Sequence, residues 1–167
     1  AIVADKLESF GVEVHKGLAG TGIVGTLRTG DGPIIGLRAD MAALHINELN
    51  DFDHKSTHDG KMHACGHDGH TTMLLGAARY LAETKRFKGT VRFIFQPAEE
   101  NEGGGRKMVE DGLFEKLPVD QVFGMHNWPG MPLGAMAMKV GPQMAAVDRF
   151  IITVKGQGFH GAMPNLG

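Results

Sequence analysis

The chain has a single cysteine, Cys65, so an intramolecular disulfide is impossible and a disulfide-stapled secreted scaffold is excluded. It contains one tryptophan and one tyrosine, and no Asn-x-Ser/Thr acceptor. It lacks any apolar run approaching the roughly 20 residues that span a bilayer. It also lacks an excess of charge of either sign. The formal net charge is -2 over 167 residues. Without a basic face, neither nucleic acid nor an anionic membrane is expected as a partner. The opening residues AIVADKLESFGVEV show no charged-then-apolar signal layout. With one free thiol, a cytoplasmic location is the expectation.

Present instead are nine histidines and 25 glycines. The glycines sit at the ends of apolar runs, as in tight strand-to-loop turns. The length suits one compact domain, or one domain and the start of a second. The pattern predicts a helix over 1–10, ended by Gly11, and strands over 23–28 and 34–38 joined by a turn at 29–33. A polar loop follows over 51–61. A long helix is predicted over 70–84, a strand over 91–95 and a short helix over 106–111 closed by Gly112. Further strands are predicted over 121–125, 135–139 and 149–154, with Gly141-Pro142 as a hinge before the last. Alternating strands and helices imply an α/β fold with a mostly parallel sheet.

In such sheets ligands sit beyond the carboxyl ends of the strands, and the reactive side chains of this sequence collect there. Asp40 follows the second predicted strand, Glu99 and Glu100 the third, and His126 the fourth. Cys65 and His67 precede the long helix within M-H-A-C-G-H-D-G-H (62–70). A thiolate and an imidazole two residues apart, with glycine between, suit Zn²⁺ and similar ions. Of two adjacent glutamates, one can bind metal while its neighbour works as a general base. His160, in the glycine-rich turn GQGFHG, can donate to a developing oxyanion. Each motif has a plainer account: a buried thiol, an acidic turn, a core or turn histidine. Their common placement at strand ends outweighs those accounts. The literal G-x-G-x-x-G at 20–25 leads into a strand, whereas a dinucleotide fingerprint opens a helix, so nucleotide binding is not expected.

Together these motifs resemble the M20 metallopeptidase family, within it the N-acyl-amino-acid and hippurate-type amidohydrolases. The matching stretches are LRADMAAL (37–44), MHACGHDGHTTMLLGAA (62–78), FIFQPAEE (93–100), MHNWP (125–129) and GPQMAAVDRFIITVKGQGFHGAMP (141–164). The resemblance implies Cys65, His67, Glu100 and His126 as ligands of two divalent metal ions, Cys65 bridging them. Zinc is the first expectation, with manganese, cobalt or nickel as alternatives. It implies Glu99 as the general base on a bridging water, Asp40 as a carboxylate orienting a metal-bound group, and His160 as a lid histidine on the substrate carbonyl. It further implies a three-layer catalytic domain over 1–143 and the first strand of an inserted α+β lid or dimerisation domain over 144–167. The substrate would be a small N-acyl amino acid, and the assembly a homo-oligomer, dimer or tetramer. The family pattern has Asp, Pro and His where this chain has Ala42, His45 and Asn165. It also continues past Gly167 to the rest of the lid and a last histidine ligand, so low activity is expected of this stretch alone. Two other readings remain open. One is a cysteine hydrolase with Cys65 as nucleophile. The other is a non-catalytic metal-binding module.

Overall fold

The computed structural model describes residues 1–146, 148 and 150–166. The chain divides into two units, Ala1–Pro129 and Gly130–Gly167.

The first unit opens with helix α1 (Ile2–Ser9), which turns Ala4 and Leu7 inward. Strands β1 (Glu13–Leu18) and β2 (Gly22–Arg28) follow as an antiparallel hairpin. Glycines 20 and 22 belong to this hairpin and open no helix, in keeping with a turn into a strand. Then come β3 (Ile34–Asp40) and a long loop, closed at its neck by an antiparallel bridge between Leu44 and Met62. Helix α2 (His67–Thr84) leads to β4 (Thr90–Gln96). Short helices α3 (Glu99–Glu102), α4 (Gly104–Glu110) and α5 (Leu113–Lys116) lead to β5 (Gln121–Gly124).

The sheet order is β1-β2-β4-β3-β5. The expected parallel pairing holds where β3 meets β4 and β5, and the β1–β2 hairpin adds antiparallel pairings on the other side of β4. The fold class is α/β, as read from the sequence. Every residue of β4 is buried, because this central strand is covered on both faces. On one face Val91, Phe93 and Phe95 pack with Leu7, Leu74 and Ala78 from α1 and α2. On the other, Ile94 packs with Val24, Met108 and Leu113 from the α4–α5 side. Leu7 is fully buried, so Leu7→Ala is expected to cost about 2–5 kcal/mol of stability. A urea titration against the parent would show it as a lower midpoint.

Sequence periodicity missed β1, whose residues EVHKGL are mostly exposed and polar. It is an edge strand made by its partner, not by its own apolar pattern. In the second unit the expected strand over 135–139 is absent. Residues 150–154 likewise form no strand, and position 149 lies outside the described residues. A strand needs a ladder partner, and no described segment pairs with either stretch. Met136, Met138, Ile151 and Ile152 are accordingly exposed. The only regular element described in this unit is the 3-10 turn Pro164–Leu166.

Candidate metal centre

Because β3 runs parallel to both β4 and β5, all three release their following residues at one edge of the sheet. Asp40 is the last residue of β3 and pairs in register with Gln96 at the end of β4. Glu99 and Glu100 begin α3, three residues further on. Ala98, just before them, takes a left-handed conformation (φ 49°) that costs a non-glycine residue about 1–3 kcal/mol. That turn swings the chain from strand to helix at once, so both glutamates stay at the sheet edge. Gly104 is needed close by, since a Cβ there would lie 1.8 Å from the carbonyl oxygen of Pro97. His126 comes two residues after β5, and His67 is the first residue of α2.

His67 is the hub. It is 1% exposed, and its Nδ1 lies 2.8 Å from the carbonyl oxygen of Ala42. A carbonyl only accepts, so Nδ1 carries a proton, and in the neutral ring Nε2 presents its lone pair. Nε2 is the one buried side-chain nitrogen or oxygen without a hydrogen-bond partner among the described residues. Around it stand Asp40 Oδ2 at 3.7 Å, Glu100 Oε1 at 3.7 Å and Glu99 Oε2 at 3.9 Å. A lone pair facing three carboxylates at these distances is an arrangement that a cation resolves. Two ligand atoms each about 2.0–2.2 Å from one ion stand roughly 3.3–4 Å apart. Sets of ligand atoms within 4.8 Å of one another are formed by Cys65, His67 and His126, by Asp40, His67 and His70, and by His67, Glu99 and Glu100. Thiolate, imidazole and carboxylate together suit a divalent transition metal. These residues fit such an ion.

The structure therefore brings together six of the seven residues singled out in the sequence: Asp40, Cys65, His67, Glu99, Glu100 and His126. Cys65 Sγ is 3.5 Å from His126 Nε2. His160 belongs to the second unit, in an exposed turn where its ring nitrogen accepts from the backbone of Ala162 at 3.3 Å. Periodicity also left three neighbours without a role. Arg38 bonds Asp40 at 3.0 Å and holds Gln96 Oε1 with two donors, at 2.9 and 2.7 Å. His70 bonds Asp40 at 2.6 Å, and Asn127 meets His70. The i, i+3 spacing of His67 and His70 on one helix face was the signal available for His70.

The electrostatics follow from burial and from the acidic surroundings. Burial pushes the Asp40 carboxyl up, but the hydrogen bond from His70 and the charge of Arg38 outweigh it and hold Asp40 below the usual carboxylate range. Cys65 moves the other way. Burial, then the hydrogen bond and charge of Glu100, then Glu99 and Asp40, push its thiol up to about 11. A nucleophilic cysteine needs a lowered pKa or an activating base. A thiol held protonated among carboxylates is poorly suited to attack.

A strand-end cluster of imidazoles, carboxylates and a thiol defines a metal-site class of α/β protein. The sequence model of peptidase family M20/M25/M40 matches residues 36–164, most of the chain and every member of the cluster. The chain belongs to this family. It is 49% identical to a hippurate hydrolase of Campylobacter jejuni over 98% of this chain and 43% of that protein. It is 46% identical to the IAA-amino acid hydrolase ILR1-like 4 of Arabidopsis thaliana over 98% of this chain and 37% of that one. The crystal structure of Bacillus subtilis YXEP, described as a dinuclear metal-binding peptidase of the M20 family, matches with a TM-score of 0.74 at 43% identity. That match covers 80% of this chain and 38% of the other. The chain thus spans well under half the length of the relatives it matches.

Proposed function

We propose that this chain forms the metal-binding part of an amidohydrolase that cleaves N-acyl amino acids. The observation that carries the reading is the buried, unpartnered Nε2 of His67 facing three carboxylates. Cys65, His67, Glu100 and His126 would hold two divalent cations, with zinc favoured by the donor set and manganese, cobalt or nickel able to replace it. Such ions supply Lewis acidity toward a carbonyl oxygen and lower the pKa of a nearby water. Glu99 is the more exposed of the two glutamates, 40% against 27%. It faces the open side, takes a proton from the attacking water and returns it to the leaving amine. Asp40, clamped by Arg38 and His70, keeps a fixed negative charge beside His67 and orients the cluster. His160, on the chain after Pro129, would contact the substrate carbonyl.

The substrate class is supported by the relatives, whose names include hippurate, IAA-amino acid and N-acetyl-L-cysteine. Each is an amino acid acylated on nitrogen. The segment after residue 143 would open a lid and dimerisation domain, giving a homo-oligomer. No described helix is long and apolar enough to cross a membrane. With one free thiol, the cytoplasm is the proposed location.

The test is elemental analysis of the purified chain after loading with Zn²⁺ or Mn²⁺ and gel filtration. Wild type should retain metal, and both Cys65→Ser and Glu100→Ala should retain less. A wild type that emerges free of metal under both loadings overturns the reading.

A further inference from the structure

We infer that His70, a residue outside the proposed ligand set, is the positioning residue that assembles the metal centre: one ring nitrogen holds Asp40 and the other holds the loop that carries His126. The inference rests on the metal-centre reading above and adds to it a residue with no ligand role.

His70 is 2% exposed and lies one turn along α2 from His67, on the same face. The backbone N–H of Asn127 donates to its Nε2 at 3.0 Å. A backbone N–H cannot rotate, so Nε2 is fixed as an acceptor and the ring proton sits on Nδ1. That proton is donated to Asp40 Oδ1 at 2.6 Å. Asn127 Oδ1 stands 2.9 Å from the same Nε2; turning that amide brings its NH₂ there as a second donor and gives up the 3.4 Å bond from Nδ2 to the Gly66 carbonyl. Both nitrogens are thus engaged by protein, and no lone pair remains for a cation.

The second bond matters because little else places His126. The preceding strand β5 is four residues long and exposed throughout. Met125 and Trp128, flanking the loop, are more than half exposed. His126 Nδ1 bonds only the neighbouring carbonyl of Asn127, at 2.6 Å. The ties of this loop to the rest of the unit run to Cys65 and His70. Gly66 takes part through its missing side chain, since a Cβ there would come 2.3 Å from the Asn127 amide. The His70 and His126 rings meet edge to face, with centroids 4.4 Å apart at 72°. Without His70, Asp40 loses its shortest bond and His126 loses the contact that keeps it beside Cys65.

Two variants separate the two bonds. In His70→Gln the amide reaches the Nε2 position and can still accept from Asn127. In His70→Asn the amide nitrogen replaces Nδ1 toward Asp40 and the tie to Asn127 is cut. Purified chains are titrated with Co²⁺, with the near-ultraviolet thiolate-to-cobalt charge-transfer band reporting Cys65 ligation. Wild type and His70→Gln should show the band, whereas His70→Asn should lose it or need about 10–100-fold more Co²⁺. Asn127→Pro, a change on the exposed loop that removes the backbone donor together with the side-chain amide, should repeat the loss if the helix variants fold poorly. A wild-type band and affinity in His70→Asn would overturn the inference. So would an equal loss of one bound ion in both His70 variants, which would make His70 itself a ligand. A wild type that binds no Co²⁺ would overturn the metal-centre reading and this inference together.

Discussion

Glu99→Gln is expected to lower kcat by about 10²–10⁴-fold while leaving bound metal unchanged, the usual contribution of a positioned acid–base group. The change keeps shape and hydrogen-bonding reach and removes the negative charge together with the capacity to take a proton. Glu99 and Glu100 are consecutive on a one-turn helix, so their side chains leave the axis about 100° apart. Glu100 is the less exposed and stands 3.7 Å from His67 Nε2, whereas Glu99 is the more exposed and stands 3.9 Å away. On the proposed roles the inner carboxylate would bind metal, and the outer one would meet substrate. Glu100→Gln should therefore fail in metal content before turnover is considered. The comparison is made in a polypeptide of the relatives' full length, with N-benzoylglycine or a similar N-acyl amino acid as substrate. Equal metal loss in the two variants, or near-normal kcat in Glu99→Gln, would sink the division of roles.

The positions of these groups were legible because β3 and β4 are dense apolar runs, and the residues after them are polar and chemically capable. Asp40, Glu99, Glu100 and His126 could be placed at strand ends before any coordinates. The stretch from Cys65 to His70 could be placed at a helix start, although α2 begins at His67, three residues earlier than its apolar spacing suggests. The roles given to each residue came from the family resemblance; spacing alone left open which glutamate binds. Three things were not legible. Polar β1 exists through its ladder with β2, a property of the pair and not of EVHKGL. The strand expected over 135–139 has the right composition and no partner among the described residues, so alternation there misled. The clamp on Asp40 joins residues 38, 70 and 127, and no local pattern records that they converge. The backbone of Ala42 makes the same point. Its carbonyl, common to every residue type, sets the tautomer of His67.

In the metal-free protein, alkylation of Cys65 by iodoacetamide at pH 8 is expected to be about tenfold slower than that of a free cysteine side chain. The log of its rate should keep rising with pH well past 9. The thiol is pushed from 9.0 up to about 11, so at pH 8 and below its thiolate fraction is about 100-fold lower. The sign follows from the causes: burial strips water from the thiolate, and Glu100, Glu99 and Asp40 repel its charge. A more basic thiolate is a better nucleophile, and with a Brønsted slope of about 0.4–0.5 that returns roughly six- to tenfold of the loss. The net deficit is therefore about tenfold, and the pH profile separates it from simple shielding. A shielded thiol of ordinary pKa would react slowly and level off near 9, whereas this one should climb with unit slope toward 11. Glu100→Gln removes the charge that Glu100 sets against the thiolate, so it should quicken labelling and move the plateau down. Zn²⁺ should protect the thiol in the wild type, because a coordinated thiolate is no longer free to attack. Rapid alkylation with a plateau at or below 9, and no protection by Zn²⁺, would instead restore Cys65 as a candidate nucleophile and remove it from the ligand set.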